Sequence, residues 1–264
     1  MLIDVHAHFH TERSSRPDWR ELNQRRLTAG RQMGITAHVA SILGSYGARS
    51  PVYFPSQDDI RHANDALAAL GAEHPGLVYG YCVVNPNYTD RAVREIESRV
   101  AAGFIGVKLA ASRRADDALL DPIADTARKC GVPILHHTWQ HRRRDWPGQE
   151  ASDAVELAAL ARRHPGTKFI LAHLGGGGDW QHSLRALRGV ANVWVDLSGS
   201  GLDGGMLEAA LAAVGVEHLL WGADITLDTG LAKLRYLESI LPPNAVAAVR
   251  HGNAEAVFPP GAFR

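Results

Sequence analysis

The sequence lacks the features that mark disulfide-bonded, polyanion-binding and membrane-inserted proteins. Only two cysteines occur in 264 residues, Cys82 and Cys130, so we predict reduced thiols and no disulfide framework. Basic and acidic residues number 28 each, a balance without the electrostatic footprint of nucleic-acid binding. No apolar stretch is long enough to cross a bilayer, and the charge at Asp4 leaves no room for a signal-peptide core. We therefore expect a cytoplasmic protein that binds neither nucleic acid nor membranes.

Linkers and repeats are also missing. No Pro-rich or Ser-rich stretch divides the chain and no internal repeat is visible, so we predict one domain over residues 1–264. The composition, 45% hydrophobic and 21% charged, is that of a globular protein and not of a disordered one. A single α/β barrel typically uses about 250 residues, which matches this length.

Apolar runs rich in Val, Ile and Leu recur eight times and alternate with segments of helical periodicity. Helix boundaries support the alternation, because Ser56 is a plausible N-cap, Thr89 precedes a helical run over 90–102, and Gly103 follows it as a stop. Eight such units predict a parallel sheet closed into a (β/α)8 TIM barrel of the α/β class. The predicted strands are 2–6, 35–42, 77–84, 104–109, 132–137, 168–173, 192–197 and 218–223.

The first strand ends in "IDVHAH", which carries two histidines at alternate positions. Strand alternation predicts that Asp4, His6 and His8 face the barrel interior and that Ile3 and Val5 face the helices. Neutral imidazole is a good ligand for zinc, iron, manganese or nickel, and a strand end supplies rigid support. The two histidines are therefore metal-ligand candidates, with a structural histidine pair as the alternative.

Two further strands end in histidine, in "VPILHHT" and "KFILAHLGGGG". In the first, alternation turns His137 inward as a candidate ligand and His136 outward into a hydrogen-bonded packing role. In the second, it predicts that Phe169, Leu171 and His173 face inward. A phosphate-binding loop at the glycines is a weaker interpretation, because barrel phosphate sites usually follow strands 7 and 8.

Two aspartates end the last strands. Asp224 closes "LLWGAD", where a carboxylate beside a metal-bound water would be a candidate general base. A helix N-cap is the alternative for Asp224, although Asp228 suits capping better. Asp196 closes "VWVDLSG", where it either orients a ligand histidine or anchors the following turn.

Lys108, in "FIGVKLA", is predicted to point into the barrel, opposite to Val107 and Leu109. A buried lysine needs a partner, and three remain open. It could form a carbamate that bridges two metals, stay cationic and bind a substrate carboxylate, or form a structural ion pair, for instance with Asp4.

Two long connections, residues 43–55 and 138–149, would lie on the rim where barrel enzymes build substrate pockets. Guanidinium groups suit bidentate recognition of carboxylates, so we predict a small, anionic substrate bound by Arg113, Trp139 and Arg142. The alternative is that these arginines, with Arg114, Arg143 and Arg144, form a solvated face.

Taken in order, "IDVHAH", "GVKL", "ILHHT", "FILAHLGG", "VWVDLSG", "LLWGAD" and the terminal "GNAEAVF" resemble the amidohydrolase superfamily, and more closely amidohydrolase family 2. The resemblance covers essentially the whole chain. It implies a TIM-type barrel with metal ligands at His6, His8, His137 and Asp224. It also implies that His173 is a proton donor or oxyanion stabiliser with one metal, or a ligand of a second metal alongside a carbamate on Lys108.

Two departures from the family pattern matter. The Pro that commonly follows the aspartate of strand 8 is missing after Asp224. The decarboxylating subgroup often replaces a first-strand histidine and has a longer chain, whereas this compact chain keeps His6 and His8.

The sequence thus predicts a metal-dependent hydrolase with one or two divalent ions per chain, zinc first among the candidates. Its substrate would be a small lactone, ester or amide that carries a carboxylate, with Asp224 and His173 as catalytic residues. A decarboxylase of an aromatic or enol acid on the same site is the alternative, and a non-catalytic barrel is the third interpretation. The sequence leaves open whether the chain forms a homo-oligomer.

Overall fold

The architecture of the chain follows from a computed structural model that describes residues 1–14, 16–43, 55–109, 112–138, 152–174, 179–199, 201 and 203–263. Eight parallel strands lie within these ranges, and each falls inside or within two residues of its predicted run. Their bounds are β1 Ile3–His8, β2 Ala37–Ser41, β3 Val78–Val84, β4 Gly106–Leu109, β5 Ile134–His137, β6 Phe169–Ala172, β7 Val193–Asp196 and β8 Leu219–Leu220.

The strands pair in chain order, β1 to β8, in one sheet. Main-chain contacts also join its two edges: the Val5 amide donates to the Trp221 carbonyl at 3.1 Å and the Asp224 amide to the His6 carbonyl at 2.7 Å. A parallel bridge between Ala7 and Asp224 lies at the same seam. The fold is therefore the predicted (β/α)8 TIM barrel. Its assignment to one domain over the whole chain stays a prediction.

Helices surround the sheet, and their boundaries follow local capping chemistry. The Ser56 side chain accepts from the Asp59 amide, and the Asp59 side chain accepts from the Ser56 amide. Gly131 ends α4 in the left-handed conformation that glycine adopts without strain. Thr89 is the first residue of its helix and not the residue before it. The bounds are α1 Trp19–Met33, α2 Gln57–Glu73, α3 Thr89–Ala101, α4 Asp121–Cys130, α5 Ala154–Arg163, α6 Trp180–Ala186, α7 Met206–Val214, α8 Leu227–Ile240, α9 Pro243–Ala247 and α10 Asn253–Val257.

Two apolar layers hold the barrel. One lies between the sheet and the helices, where Leu67 of α2 and Ile96 of α3 are buried with outward-facing strand residues. The other fills the barrel interior, where Phe258, just after α10, joins Tyr81 and the inward residues of several strands. Because α10 covers the amino ends of the strands, the opposite rim is the end at which a site can open.

The side-chain phase predicted for β1 is wrong over its first half. Ile3 and Val5 lie in the interior apolar layer, and Asp4 faces α1. The pairing register explains the error: β1 advances by three residues from Asp4 to Ala7 while β2 advances by only two. This bulge inserts one residue and reverses the alternation, so His6 and His8 still point to the site.

The phase predicted for β6 is also wrong. Ile170 and Ala172 face the interior, whereas Phe169 and Leu171 pack with the helices. A strand that is buried on both faces reads as a continuous apolar run, so the sequence contains no phase information there. His173 follows the strand and is not part of it, so it points to the site without obeying the alternation.

None of the described helices is both long and apolar enough to span a membrane.

Candidate metal centre

Histidine and aspartate side chains meet where the strands end at the open rim. His6 and His8 are contributed by β1, His173 follows β6 and Asp224 follows β8. In parallel barrels these carboxyl ends lie at one face, which is where sites are built. Residues at the ends of three different strands thus become spatial neighbours.

The atoms of this group are close enough to share one ion. Ligand atoms of His6, His173 and Asp224 all lie within 4.8 Å of one another. Nε2 of His8 lies 3.1 Å from Nε2 of His6 and 3.2 Å from Oδ1 of Asp224. The other carboxylate oxygen, Oδ2, lies 3.1 Å from Nδ1 of His173. The geometry therefore offers a mutually close set of His6, His173 and Asp224, with His8 in contact with two of its members.

The protonation of His6, His8 and Asp224 suits the binding of a cation. Burial lowers the pKa of His8, and it lowers the pKa of His6 well below its usual value with help from the charge of Lys108. Burial opposes ionisation of Asp224, but hydrogen bonds from His173 and His8 hold its pKa well below the usual range. Neutral imidazoles and an ionised carboxylate are the donor set of divalent transition metals, so the residues fit such an ion.

Each histidine of β1 is oriented by a neighbour that contacts its Nδ1 atom. Nδ1 of His8 lies 3.2 Å from the carbonyl oxygen of Ser41. Nδ1 of His6 lies 2.6 Å from Oδ2 of Asp196 and 2.9 Å from Oγ of Ser198. Such partners fix the tautomer and the orientation of a ligand imidazole. Sequence reasoning missed both serines, because a serine at a strand end has no distinguishing pattern.

Asp196 makes both of the contacts that the sequence left open. Its Oδ2 binds His6, and its Oδ1 accepts from the amide of Ser198 at 2.7 Å. Gly222 makes room for it, because a Cβ at that position would lie 2.5 Å from Oδ1 of Asp196 and 3.0 Å from Cβ of His6. A side chain at position 222 would therefore push the Asp196 carboxylate away from the histidine.

Lys108 lies inside the barrel, as alternation predicts, and is fully buried. Its Nζ lies 2.9 Å from Nε2 of His6, the atom that also faces His8. Burial lowers the pKa of Lys108 to about 8, opposed by the charges of Asp224 and Asp196. The suggested ion pair with Asp4 is wrong, because Asp4 faces α1.

His137 and His136 lie on opposite faces of β5, as predicted. His137 is buried against His173 with ring centroids 4.9 Å apart, and burial lowers its pKa well below the usual value. It stands beside the group of close ligand atoms and not within it. Nε2 of His136 lies 2.8 Å from Oγ of Ser152, which is the packing role expected for it.

Asp4, whose outward direction was not predicted, organises a second buried network. Its Oδ2 accepts from Arg26 at 2.8 Å and lies 2.9 Å from Nδ1 of His38, while Oδ1 accepts from the Ala223 amide at 2.9 Å. Arg26 also donates to the carbonyl of Asp224 at 2.5 Å. Arg26 thus ties α1 to both edges of the barrel seam, directly behind the candidate ligands.

The predicted substrate-binding residues are only partly within the described ranges. Arg113 lies on the rim after β4, half-buried, with NH1 3.7 Å from Oδ2 of Asp117. Arg114 pairs with Asp116 at 2.9 Å and with Glu156 at 3.1 Å. The remaining candidates lie outside the described residues, namely Trp139, Arg142, Arg143 and Arg144, together with most of the loop at 43–55.

Comparison with known families decides what this barrel is. The Amidohydro_2 family of amidohydrolases matches residues 3–259, nearly the whole chain. The chain belongs to the amidohydrolase family. The resemblance noted in the strand-end motifs is thereby confirmed. The search of curated proteins found no match to this chain.

Several solved structures share the amidohydrolase fold at low sequence identity. The 5-carboxyvanillate decarboxylase LigW from Sphingomonas paucimobilis has a TM-score of 0.74 at 18% identity, covering 97% of this chain and 98% of that chain. The 2,6-dihydroxybenzoate decarboxylase from Rhizobium gives the same values. A dihydroxybenzoic acid decarboxylase from Polaromonas sp. JS666, with bound manganese and the inhibitor 2-nitroresorcinol, has a TM-score of 0.73 at 19% identity, covering 97% and 96%.

Proposed function

We propose that this amidohydrolase is a metal-dependent decarboxylase of a small, hydroxylated aromatic acid. The observation that carries the proposal is the mutual approach of His6, His173 and Asp224 inside the barrel, with His8 in contact with His6 and Asp224. Structural neighbours that cover nearly the whole chain are decarboxylases of such acids. The sequence alone ranked hydrolysis first and decarboxylation second, and these neighbours favour decarboxylation.

The residues proposed to hold a divalent ion are His6, His8 and Asp224, with His173 or His137 completing the set. Manganese is the first metal to test, because the Polaromonas relative contains it, and zinc is the second. A bound divalent ion supplies a positive charge that fixes the oxygens of an acidic substrate and stabilises negative charge developed on it. With one metal, Lys108 stays an unmodified ammonium group.

Decarboxylation needs a proton at the carbon that loses the carboxylate. The bond between the ring carbon and the carboxylate carbon breaks, carbon dioxide leaves, and the electron pair left on the ring carbon takes up a proton. We assign delivery of this proton to the pair formed by His173 and Asp224, whose Nδ1 and Oδ2 atoms lie 3.1 Å apart. Positioned acid–base groups of this kind typically contribute about 10²–10⁴-fold to the rate.

The substrate would be held by the rim. Arg113, which lies on the rim after β4, is the described candidate for a carboxylate contact. Trp139 and Arg142, on the following loop, stay predictions for the aromatic ring and for a second anionic group.

Hydrolysis of a lactone, ester or amide remains the second candidate. The observation in its favour is the position of the Asp224 carboxylate, whose oxygens lie 3.2 Å from His8 and 3.1 Å from His173, where it could take a proton from an attacking water.

The proposal is tested with the manganese-loaded chain, using 5-carboxyvanillate, 2,6-dihydroxybenzoate and a panel of aryl esters and lactones. We expect carbon dioxide release from an aromatic acid and, in D₂O, one deuterium on the ring of the product. Asp224→Asn should lower kcat/KM by about 10²–10⁴-fold. Asp228→Asn is the matched control, because it makes the same change on an exposed aspartate of the next helix.

The two candidates give opposite results. Incorporation of ¹⁸O from labelled water into the product, with no carbon dioxide, would reject decarboxylation and establish hydrolysis. Absence of turnover on both panels, together with no effect of Asp224→Asn on manganese binding, would favour a barrel without this active site.

A further inference from the structure

A second buried lysine lies behind the candidate metal centre. Lys233 belongs to α8 and is fully buried. Its Nζ donates to three consecutive carbonyl oxygens, those of Leu197 at 2.9 Å, Ser198 at 3.0 Å and Gly199 at 3.0 Å. An ammonium group has three N–H donors, and all three are used. The segment 197–199, which follows β7, is therefore fastened to α8 at one point.

This segment touches two of the candidate ligands. Oγ of Ser198 lies 2.9 Å from Nδ1 of His6 and donates to Oδ2 of Asp196 at 2.7 Å. Gly199 has a left-handed φ of 83°, and a Cβ there would lie 2.9 Å from Cβ of His173. A shift of the segment would therefore move the groups that orient His6 and would press on His173.

The identity of the residue matters as much as its position. Burial lowers the pKa of Lys233 to about 8, against the attraction of Asp196 and Asp224. An apolar side chain of the same length would avoid the cost of burying an ammonium group, but it would leave three buried carbonyls without these donors. The carbonyl cluster therefore explains why a lysine stands at this position, whereas the packing of its alkyl chain does not.

We propose that Lys233 is a positioning residue of the metal centre, which acts through Ser198 and Asp196 to hold His6 with Nδ1 protonated and with the lone pair of Nε2 directed into the site. The inference rests on the proposed metal site. Lys233 touches neither His6 nor Asp224 and is not a catalytic residue. Its effect is transmitted by the three hydrogen bonds from Nζ to the main-chain carbonyls of the segment 197–199.

The test measures the dissociation constant for Mn²⁺ alone on folded protein, in a graded series at position 233. Lys233→Gln keeps two donors and Lys233→Met keeps none. Loss of an outer partner of a ligand histidine typically weakens metal binding about 10–100-fold, so we expect weaker binding in the order Lys, Gln, Met. Circular dichroism confirms folding, and Lys233→Gln serves for the comparison if Lys233→Met does not fold.

A second readout needs no metal. In the metal-free protein labelled with ¹⁵N-histidine, the ring nitrogens of His6 report the tautomer by NMR. The wild-type ring should be in the Nδ1–H form, and Lys233→Met should give a mixture of tautomers. Ser198→Ala should do the same, because it removes the intermediate in the proposed chain of contacts.

Lys168→Met is the matched control. Lys168 also donates to main-chain carbonyls, those of Ala256 at 2.7 Å and Val257 at 3.2 Å, but it does so at the opposite end of the barrel. It should leave the Mn²⁺ dissociation constant and the His6 tautomer unchanged. The double variant Lys233→Met with Ser198→Ala should bind Mn²⁺ about as weakly as the weaker single variant.

Several results would overturn the proposal: unchanged Mn²⁺ binding and an unchanged tautomer in Lys233→Met, equal effects of Lys233→Met and Lys168→Met, or multiplicative effects in the double variant. Failure of the wild-type protein to bind Mn²⁺ would instead count against the proposed function. The tautomer measurement on metal-free protein would then still decide the role of Lys233.

Discussion

The single side chains that define this site are aimed by buried neighbours. His6 is turned by Asp196 and Ser198, and His8 by Ser41, so their Nε2 atoms meet 3.1 Å apart. Asp224 depends on the same kind of support, since its carbonyl accepts from Arg26. The chemistry of the ligands and the contact of Asp196 with a histidine are predictable from the sequence, whereas Ser41, Ser198 and Arg26, which also orient the ligands, belong to no motif.

Arg26 gives a direct test of this support. Arg26→Met leaves the Asp4 carboxylate fully buried without its guanidinium, and breaking a buried ion pair in this way typically costs about 3–5 kcal/mol. We expect the free energy of unfolding in urea to fall by about that amount. Arg25→Met, one residue away, removes an exposed pair with Glu21 and should cost at most about 1 kcal/mol. Equal losses in the two variants would show that the Asp4 network does not stabilise the seam.

Strands and helices differ in how much of their geometry is local. Helix boundaries follow nearest-neighbour chemistry, so the Ser56 N-cap was identified correctly from the sequence. Which face of the sheet a strand residue occupies depends, in a parallel barrel, on the pairing with neighbouring strands. The two wrong predictions of side-chain direction, in β1 and β6, both concern this feature. In β1 the bulge before Ala7 reversed the alternation, and in β6 apolar residues occupy both faces.

The capping box of α2 is an element with a measurable contribution. Ser56→Ala removes the side-chain acceptor for the Asp59 amide, and loss of such a cap costs about 1 kcal/mol. Ser98→Ala, at an exposed position inside α3, is the control and should change the stability by no more than about 0.5 kcal/mol. Chemical denaturation of both variants measures the difference. A loss no larger at Ser56 than at Ser98 would contradict the role of the cap.

The barrel as a whole brings together residues that are far apart in the chain. Asp224 reaches His6 and His8 because the last strand returns to the first, through main-chain bonds at both sides of the seam. A metal bound across this seam would hold the two edges of the sheet together. Metal binding and stability of the fold should therefore be linked.

This link predicts a metal-dependent melting temperature. Mn²⁺ at 100 times its dissociation constant should stabilise the folded chain by about 2.7 kcal/mol, a rise in Tm of roughly 5 °C or more for a chain of this size. A chelator should reverse the rise in a thermal melt. Asp224→Asn should lose it, whereas Asp228→Asn should keep it. A melting temperature that does not respond to Mn²⁺ in the wild-type chain would speak against the proposed ion site.

The sequence by itself determined the order and type of the strands, the barrel they form and the identity of the histidines and aspartates at their ends. These features depend on hydrophobic period and on residue chemistry, which are local. The tertiary structure alone decided that Asp4 turns away to Arg26, that Lys108 faces His6, and that Ser198 and Lys233 stand behind the ligands. Those contacts join residues up to about two hundred positions apart, and their geometry is set by a bulge, a loop and the closure of the barrel, none of which local sequence records.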